Sequence, residues 1–301
     1  MRYKSTIYLL VFTTLCFSQS DKKSNPDKYF EAPSIIKKWK LDPESNASNK
    51  ETFKVEPHHD NYAVFTSILN GINEQPTSEN PANSVPESIN FNDAELKFQI
   101  SLKTLMFNNV FCSKLDIWAA YTQSSRWQVF NVDISRPFRE TNYQPELILN
   151  HPINVNFLGV NWSYLGLALN HQSNGRSLPF SRSWNRIILE AGIQGDNYTI
   201  QLRPWFRLAE DSSDDDNPEI SNFVGRGEAL FTYCYKRFKF QTNLRHSLRF
   251  GSNSRGSFNV NVDYRLQNAL SLNAQVFHGY GENLLDYNYK QTMLSFGVSF
   301  L

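Results

Sequence analysis

The sequence predicts an all-β fold, an antiparallel transmembrane β-barrel. From about residue 90 to the C-terminus, apolar and polar residues alternate in short segments, and an alternation of period two is typical of β-strands. The segments are about ten residues long and follow one another without a helical pattern, as in outer-membrane barrels. The last segment carries aromatic residues, and many long side chains on the polar faces could interlock inside a small barrel. These observations favour a barrel whose apolar face meets lipid.

A soluble β-sandwich is the alternative, because its strands also have one apolar and one polar face. Its apolar face would meet a second sheet, and its polar face would meet water. An export signal is required by the outer-membrane barrel and merely permitted by the sandwich, so the start of the chain also bears on the choice.

The first twenty residues have the features of a secretory signal peptide. Arg2 and Lys4 precede an apolar run over residues 7–17, and small or polar residues follow at 18–20. A single membrane-anchoring helix is the competing interpretation, but such a helix needs about 20 apolar residues. The sequence therefore predicts a cleaved signal peptide over residues 1–20 and export of the mature chain.

Residues 21–60 are biased towards Lys, Asn, Ser, Pro and Glu, and we predict a polar, poorly ordered segment there. The bias continues to about residue 90, interrupted by an apolar patch at residues 62–69 that is a candidate first strand. The barrel domain is accordingly predicted over residues 61–301.

Five later segments show the alternation most clearly. They cover residues 96–102, 198–208, 258–266, 270–276 and 294–300. In each of them the apolar residues would face lipid, and the polar residues would face the lumen of the barrel.

The charge balance bears on the choice of partner. With 30 basic and 29 acidic residues among 301, the chain has a net charge of +1, which is not the basic footprint of a nucleic-acid-binding protein. We therefore expect no nucleic-acid partner. Removal of the leader would leave Cys112 and Cys234, which are too few and too far apart to indicate a disulfide framework.

One predicted strand carries polar groups on its apolar face. In residues 164–173 the alternation places three leucines, His171 and Ser173 on the lipid-facing side. Ionisable groups facing hydrocarbon are disfavoured unless they serve a purpose, and near a strand end they would lie at the interface where lipid esters are found. Ser173 is then a candidate nucleophile, and His171 is its candidate general base.

A turn is predicted at residues 174–181, and a new strand from about Ser183. On that strand Asn185 shares a side with apolar residues and would lie beside His171 across the hairpin. Its side-chain oxygen could accept the Nδ1 proton and fix the tautomer in which Nε2 is the base. Taken singly, each of these polar residues is more often a cap on a surface hairpin than a catalytic group. Three together on one predicted face favour catalysis.

The same hairpin resembles the signature of the outer-membrane phospholipase A family. The resembling stretches are Asn-His-Gln-Ser-Asn-Gly-Arg-Ser at 170–177 and Ser-Arg-Ser-Trp-Asn-Arg at 181–186. Further likenesses follow in order from about residue 96 to the end, at 121–123, 137–143, 215–218, 279–282 and 286–288. The resemblance implies a barrel of about 12 strands in the outer membrane. It also implies an active site on the lipid-facing wall near the exterior rim, which cleaves acyl esters of phospholipids and lysophospholipids.

The resemblance implies roles for single residues. Ser173, His171 and Asn185 match the family's catalytic serine, histidine and asparagine. The amide matching Gly175 would help to stabilise the oxyanion of the reaction. Gln123 matches a polar residue in the contact between two subunits.

Calcium is the cofactor that the resemblance implies, together with a calcium-dependent homodimer. The ligands would be the backbone carbonyl of Arg176, the hydroxyl of Ser181 and the hydroxyl of Ser135 from the second subunit, and oxygen ligands suit a hard cation. Leu178 stands where some relatives carry an aspartate linked to a second calcium position. Asp216 remains as a candidate accessory ligand, while the acidic run around it is otherwise expected to be a solvated loop.

Two other functions stay open on the sequence alone. A pore or structural barrel needs a wide polar lumen, whereas inward side chains such as Arg203, Trp205 and Arg265 would largely fill a small one. A serine hydrolase with the same catalytic residues could instead act on another ester, such as an acyl chain of lipopolysaccharide. Ion conductance and substrate profiling discriminate these functions.

Overall fold

The computed structural model describes residues 29–41, 50–111 and 114–300, in which 13 strands form a single antiparallel sheet. The strands are β1 (Val55–Pro57), β2 (Asn61–Ile68), β3 (Ala94–Val110), β4 (Leu115–Trp127), β5 (Phe138–Phe157), β6 (Val160–Ser173), β7 (Ser183–Gln194), β8 (Tyr198–Arg207), β9 (Gly227–Tyr235), β10 (Phe238–His246), β11 (Gly256–Gln267), β12 (Leu270–Gly279) and β13 (Gln291–Phe300). Strands β2 to β13 pair in chain order, and pairing of β2 with β13 closes them into a ring. The short β1 pairs with β3 beside the start of β2. This architecture confirms the predicted barrel.

The alternation of the sequence separates the outside of the barrel from its lumen. On β3, Ile100 and Leu102 are exposed on the outer wall, while Ser101 and Lys103 between them are buried inside. Successive side chains of a strand point to opposite faces, so one face of every strand is apolar and lipid-facing and the other fills the lumen. None of the helices among the described residues is long and apolar enough to cross a membrane.

The two ends of the barrel differ in their connections. At one end the strands are joined by short turns, of which residues 158–159 and 236–237 are examples. At the other end, which we call the long-loop end, they are joined by residues 69–93, 128–137, 174–182, 208–226, 247–255 and 280–290. Ser173 and Ser183 border one of these loops, so the candidate site lies at the long-loop end.

The prediction of a poorly ordered segment over residues 21–60 is wrong for the parts that the structure describes. Helix α1 (Ile35–Trp39) is capped by the Ser34 hydroxyl, and Gln194 accepts a hydrogen bond from the Ile35 amide at 2.8 Å. Trp39 is 1% exposed and meets the Trp118 ring edge-on at 5.6 Å inside the lumen. The composition of the segment is polar, but its apolar residues pack against apolar side chains on the inner wall of the barrel. The predicted signal peptide lies outside the described residues.

Ion pairs and large side chains fill the lumen around α1. The guanidinium of Arg203 contacts Glu146 at 2.9 Å, Glu190 at 2.9 Å and Glu228 at 2.7 Å. Trp205 is 4% exposed and Arg203 is 5% exposed, which confirms that both side chains point into the lumen. At the long-loop end, residues 283–287 are buried as well. A luminal cavity of about 440 Å³ remains beside α1, and its lining includes His58, Thr122 and Arg203.

The filled lumen leads to a prediction that separates the barrel from a pore. We expect the purified protein to produce no ion-conducting steps in planar bilayers, because α1, the ion pairs of Arg203 and residues 283–287 occupy much of the lumen. A known porin in the same bilayers is the positive control. Stable single-channel steps from the protein itself would instead support the pore.

Candidate active site

Strand β6 places His171 and Ser173 on the outer wall, as predicted. His171 is exposed, and Leu169 on the same face is 52% exposed. The intervening Asn170 is buried in the lumen, where its amide oxygen accepts hydrogen bonds from Arg186 at 2.6 and 3.0 Å. Because the alternation of β6 is unbroken from Tyr164 to His171, the histidine and the serine two residues beyond it share the lipid-facing side.

The pairing of β6 with β7 brings His171 directly opposite Asn185. His171 Nδ1 lies 2.8 Å from Asn185 Oδ1. An amide oxygen only accepts, so Nδ1 carries the ring proton and Nε2 keeps a lone pair. This is the tautomer that a general base needs, and it matches the role predicted for Asn185.

Ser173 lies two residues along β6 from His171, opposite Ser183 of β7 and Tyr143 of β5. Its side chain is half-buried and has no hydrogen-bond partner within the described part of the chain. The Ser173 hydroxyl and the His171 ring therefore make no hydrogen bond with each other in this structure. Catalytic hydrogen bonds are often long before substrate binds and tighten in the complex.

The loop from residue 174 to 182 is held by two buried residues that the sequence reasoning treated as ordinary turn residues. The Asn174 side-chain oxygen accepts from the amides of Arg176 at 3.3 Å and Arg182 at 3.0 Å. The Arg182 guanidinium donates to the carbonyl of Ser181 at 2.7 Å. Gly175 has a φ of +63°, and a Cβ at this position would lie 3.3 Å from the Tyr143 ring. A glycine is thus favoured at the predicted oxyanion position.

The residues predicted to bind calcium lie around the same loop. The Ser181 hydroxyl donates to Asp216 Oδ2 at 2.8 Å, and the Asn83 amide donates to Asp216 Oδ1 at 2.9 Å. The Arg176 guanidinium packs over the Phe180 ring at 4.0 Å and donates to the Arg139 carbonyl at 3.0 Å.

The acidic run around Asp216 was predicted to be a solvated loop. The acidic run is not simply a solvated loop, because Asp215 is only 7% exposed and pairs with Arg207 at 2.6 Å, next to Asp216. Ser135 is exposed in the loop between β4 and β5, where a second molecule could reach it. Leu178 is 59% exposed on the same loop as Ser181.

Gln123 lies on the outer wall of β4 and is polar on an apolar face. Its neighbour Thr122 is buried and lines the luminal cavity, so Gln123 points away from the lumen. Tyr121 donates to Gln123 Oε1 at 3.1 Å. Gln123 pairs with Tyr143, which in turn pairs with Ser173, so the predicted dimer residue and the predicted nucleophile occupy one row across the wall.

A second group of metal-ligand residues lies inside the lumen. The potential ligand atoms of His58, His59 and Glu146 all lie within 4.8 Å of one another. Glu146 is already bound to Arg203 at 2.9 Å, and its other oxygen is 3.3 Å from His58 Nε2. A cation at these atoms would lie beside the Arg203 guanidinium and be repelled by it, so we assign these residues to the luminal ion-pair network.

Comparison with known proteins assigns the chain to a family. The model of the phospholipase A1 family matches residues 35–300. The chain belongs to the phospholipase A1 family. A putative phospholipase A1 of Neisseria meningitidis is 35% identical over 251 residues, which are 82% of this chain and 65% of that protein. Phospholipase A1 of Salmonella typhimurium is 32% identical over 82% of this chain and 81% of its own length.

Solved structures of outer-membrane phospholipase A share the fold of this phospholipase A1 family member. The Escherichia coli enzyme superposes with a TM-score of 0.73 at 29% identity, covering 82% of this chain and 94% of that one. The Salmonella typhi outer membrane phospholipase, solved as a dimer with bound calcium, gives 0.75 at 30% identity, covering 89% and 97%. The family resemblance seen in the hairpin motif is thereby confirmed.

One residue of the site carried no signal in the sequence. Glu210, in the loop after β8, accepts a hydrogen bond from Asn185 Nδ2 at 3.1 Å. Burial raises the pKa of Glu210 above its ordinary value, whereas the Arg207 guanidinium acts in the opposite direction. Glu210 lies in an acidic, serine-rich loop. The spacing of the acidic residues in that loop does not distinguish one carboxylate from another.

Proposed function

We propose that this chain is a calcium-dependent phospholipase of the outer membrane that hydrolyses acyl esters of phospholipids and lysophospholipids. Ser173 is the nucleophile, His171 the general base and Asn185 the residue that orients the histidine. The observation that carries the proposal is the hydrogen bond of 2.8 Å between His171 Nδ1 and Asn185 Oδ1 on the outer wall, with Ser173 on the same face.

The reaction follows from the tautomer of His171. Nε2 accepts the proton of the Ser173 hydroxyl while Oγ forms a bond to the ester carbonyl carbon, and the carbonyl oxygen becomes negatively charged. The amide of Gly175 donates to that oxygen. The bond from the carbonyl carbon to the glycerol oxygen then breaks, and His171 returns the proton to that oxygen. Water hydrolyses the acyl-serine in the same way and releases the fatty acid.

The residues around the loop suit a calcium ion. The Arg176 carbonyl and the Ser181 hydroxyl, with Ser135 of a second copy of the chain, provide the oxygen ligands that this cation prefers. Because the Ser181 hydroxyl donates its proton to Asp216, its lone pairs are free to face a cation, and Asp216 adds negative charge beside it. When bound, calcium would supply positive charge next to the developing oxyanion. The calcium-bound Salmonella typhi dimer supports both the cofactor and the self-association, and Gln123 is the residue we assign to the contact.

The orientation of the barrel follows from its connections. Outer-membrane barrels have short turns on the periplasmic side and longer loops outside. The long-loop end, and with it Ser173, therefore faces the exterior rim, where acyl esters of the outer leaflet lie. Residues 1–20 act as the signal peptide and residues 61–301 as the catalytic barrel, with the preceding segment contributing the plug.

The direct test is release of fatty acid from phospholipid in mixed micelles with calcium present. We expect release from both diacyl phospholipids and lysophospholipids. Lipopolysaccharide in the same micelles tests the rival ester substrate. Fatty acid released from lipopolysaccharide alone would contradict the proposal.

We expect Asn185→Ala to lower kcat about 10- to 100-fold, a smaller loss than removal of the nucleophile. The asparagine stabilises the imidazolium through one hydrogen bond, and a hydrogen bond to a charged group contributes roughly 1.5–3 kcal/mol. The kcat of purified wild type and variant is compared in the micelle assay. An unchanged kcat would remove Asn185 from the mechanism.

A further inference from the structure

A carboxylate stands behind the catalytic asparagine. Glu210 Oε1 lies 3.1 Å from Asn185 Nδ2, and Asn185 Oδ1 lies 2.8 Å from His171 Nδ1. The three side chains form one hydrogen-bonded row that starts on β6, crosses β7 and ends in the loop after β8. Nothing in the proposed mechanism uses Glu210.

A carboxamide by itself is an ambiguous partner for histidine. Rotation by half a turn exchanges its oxygen and nitrogen, and the nitrogen would then donate to Nδ1. The ring proton would move to Nε2, and the histidine could no longer accept the proton of Ser173. The orientation of Asn185 therefore decides whether the site is active.

An ionised carboxylate removes this ambiguity because it accepts hydrogen bonds and donates none. Only the nitrogen of the Asn185 amide can form a hydrogen bond with the Glu210 carboxylate. The oxygen of the same amide must therefore face His171. We propose that Glu210 is a positioning residue that fixes the orientation of the Asn185 carboxamide and, through it, the reactive tautomer of His171. This inference rests on the proposed function, since it presumes the roles of Ser173 and His171.

The loop that carries Glu210 is fixed to the same strand. The Leu208 amide donates to the Asn185 carbonyl at 2.8 Å, which ties the loop to β7 at the residue in question. Arg207, the last residue of β8, pairs with Asp215 across the loop at 2.6 Å. Glu210 itself is half-buried. The carboxylate is thus held near the amide by its own backbone.

The test is a double-mutant cycle between Glu210→Ala and Asn185→Ala, with kcat and KM measured on phospholipid micelles. In the wild-type background we expect Glu210→Ala to lower kcat about threefold to tenfold, the factor of one hydrogen bond, with KM unchanged. In the Asn185→Ala background we expect no further loss, because Glu210 acts only through the amide. Glu219→Ala is the matched control, since that carboxylate is exposed in the same loop.

A conservative variant tests the chemistry of the contact. Glu210→Gln keeps an oxygen acceptor but adds a donor that could hold the flipped Asn185 amide, so we expect it to recover only part of the kcat that Glu210→Ala loses. The proposal is overturned if Glu210→Ala leaves kcat at the wild-type value, if it lowers kcat equally in both backgrounds, or if Glu210→Gln restores the full wild-type kcat. Activity retained by Ser173→Ala would instead overturn the proposed function, so the two failures are distinguishable.

Discussion

Replacing Ser173 with alanine is expected to lower the release of fatty acid from phospholipid by at least about 1,000-fold. In the proposed mechanism Ser173 Oγ bonds to the acyl group, and removal of a nucleophile commonly abolishes nearly all of the catalytic acceleration. The measurement is kcat in calcium-containing micelles for purified wild type and variant. No side chain of the described residues bonds to Ser173, so the barrel should fold as before.

Two controls accompany this variant. Ser67→Ala removes an exposed hydroxyl from β2, on the outer wall away from the site, and should leave kcat unchanged. The heat-dependent shift in electrophoretic mobility that folded barrels show should be the same for all three proteins. A folded Ser173→Ala protein with wild-type kcat would eliminate the serine mechanism.

Removal of calcium is expected to have an effect of at least about 100-fold, the size of losing one oxyanion stabiliser. The charge of the cation would be lost from beside the oxyanion, and so would the bridge to Ser135 of the second copy. The measurement is activity in a calcium chelator, followed by titration of calcium back into the same sample. Full activity at saturating chelator would contradict the assignment.

Variants of the ligands refine the calcium test. Ser181→Ala should require a higher calcium concentration for half-maximal activity, because one oxygen ligand and the bond to Asp216 are lost together. Ser212 is an exposed serine in the loop after β8. The control variant Ser212→Ala should leave the calcium titration unchanged.

The barrel and the face that carries the proposed catalytic residues could be predicted because both depend on local periodicity. Strand β6 must turn Leu169, His171 and Ser173 to one side whatever the rest of the chain does, since side chains of a strand alternate. The neighbouring position of Asn185 followed from the single loop that joins two consecutive strands, and the pairing of His171 with Asn185 agrees with it.

The contacts made by loops could not be predicted in the same way. Asn83 and Asp216 meet at Ser181 although they are far apart in the chain, because closure of the ring brings the long loops together at one end. Glu210 lies in a loop whose path has no period to follow, so nothing in its spacing marked it out from its acidic neighbours.

By itself, then, the sequence determined which way each strand faces and hence that a serine, a histidine and an asparagine share the lipid-facing wall. Only the tertiary structure decided that Trp39 enters the lumen and that Glu210 stands behind Asn185. The physical reason is that alternation is dictated residue by residue along a strand, whereas these contacts exist only after twelve strands have closed and created the surfaces on which they form.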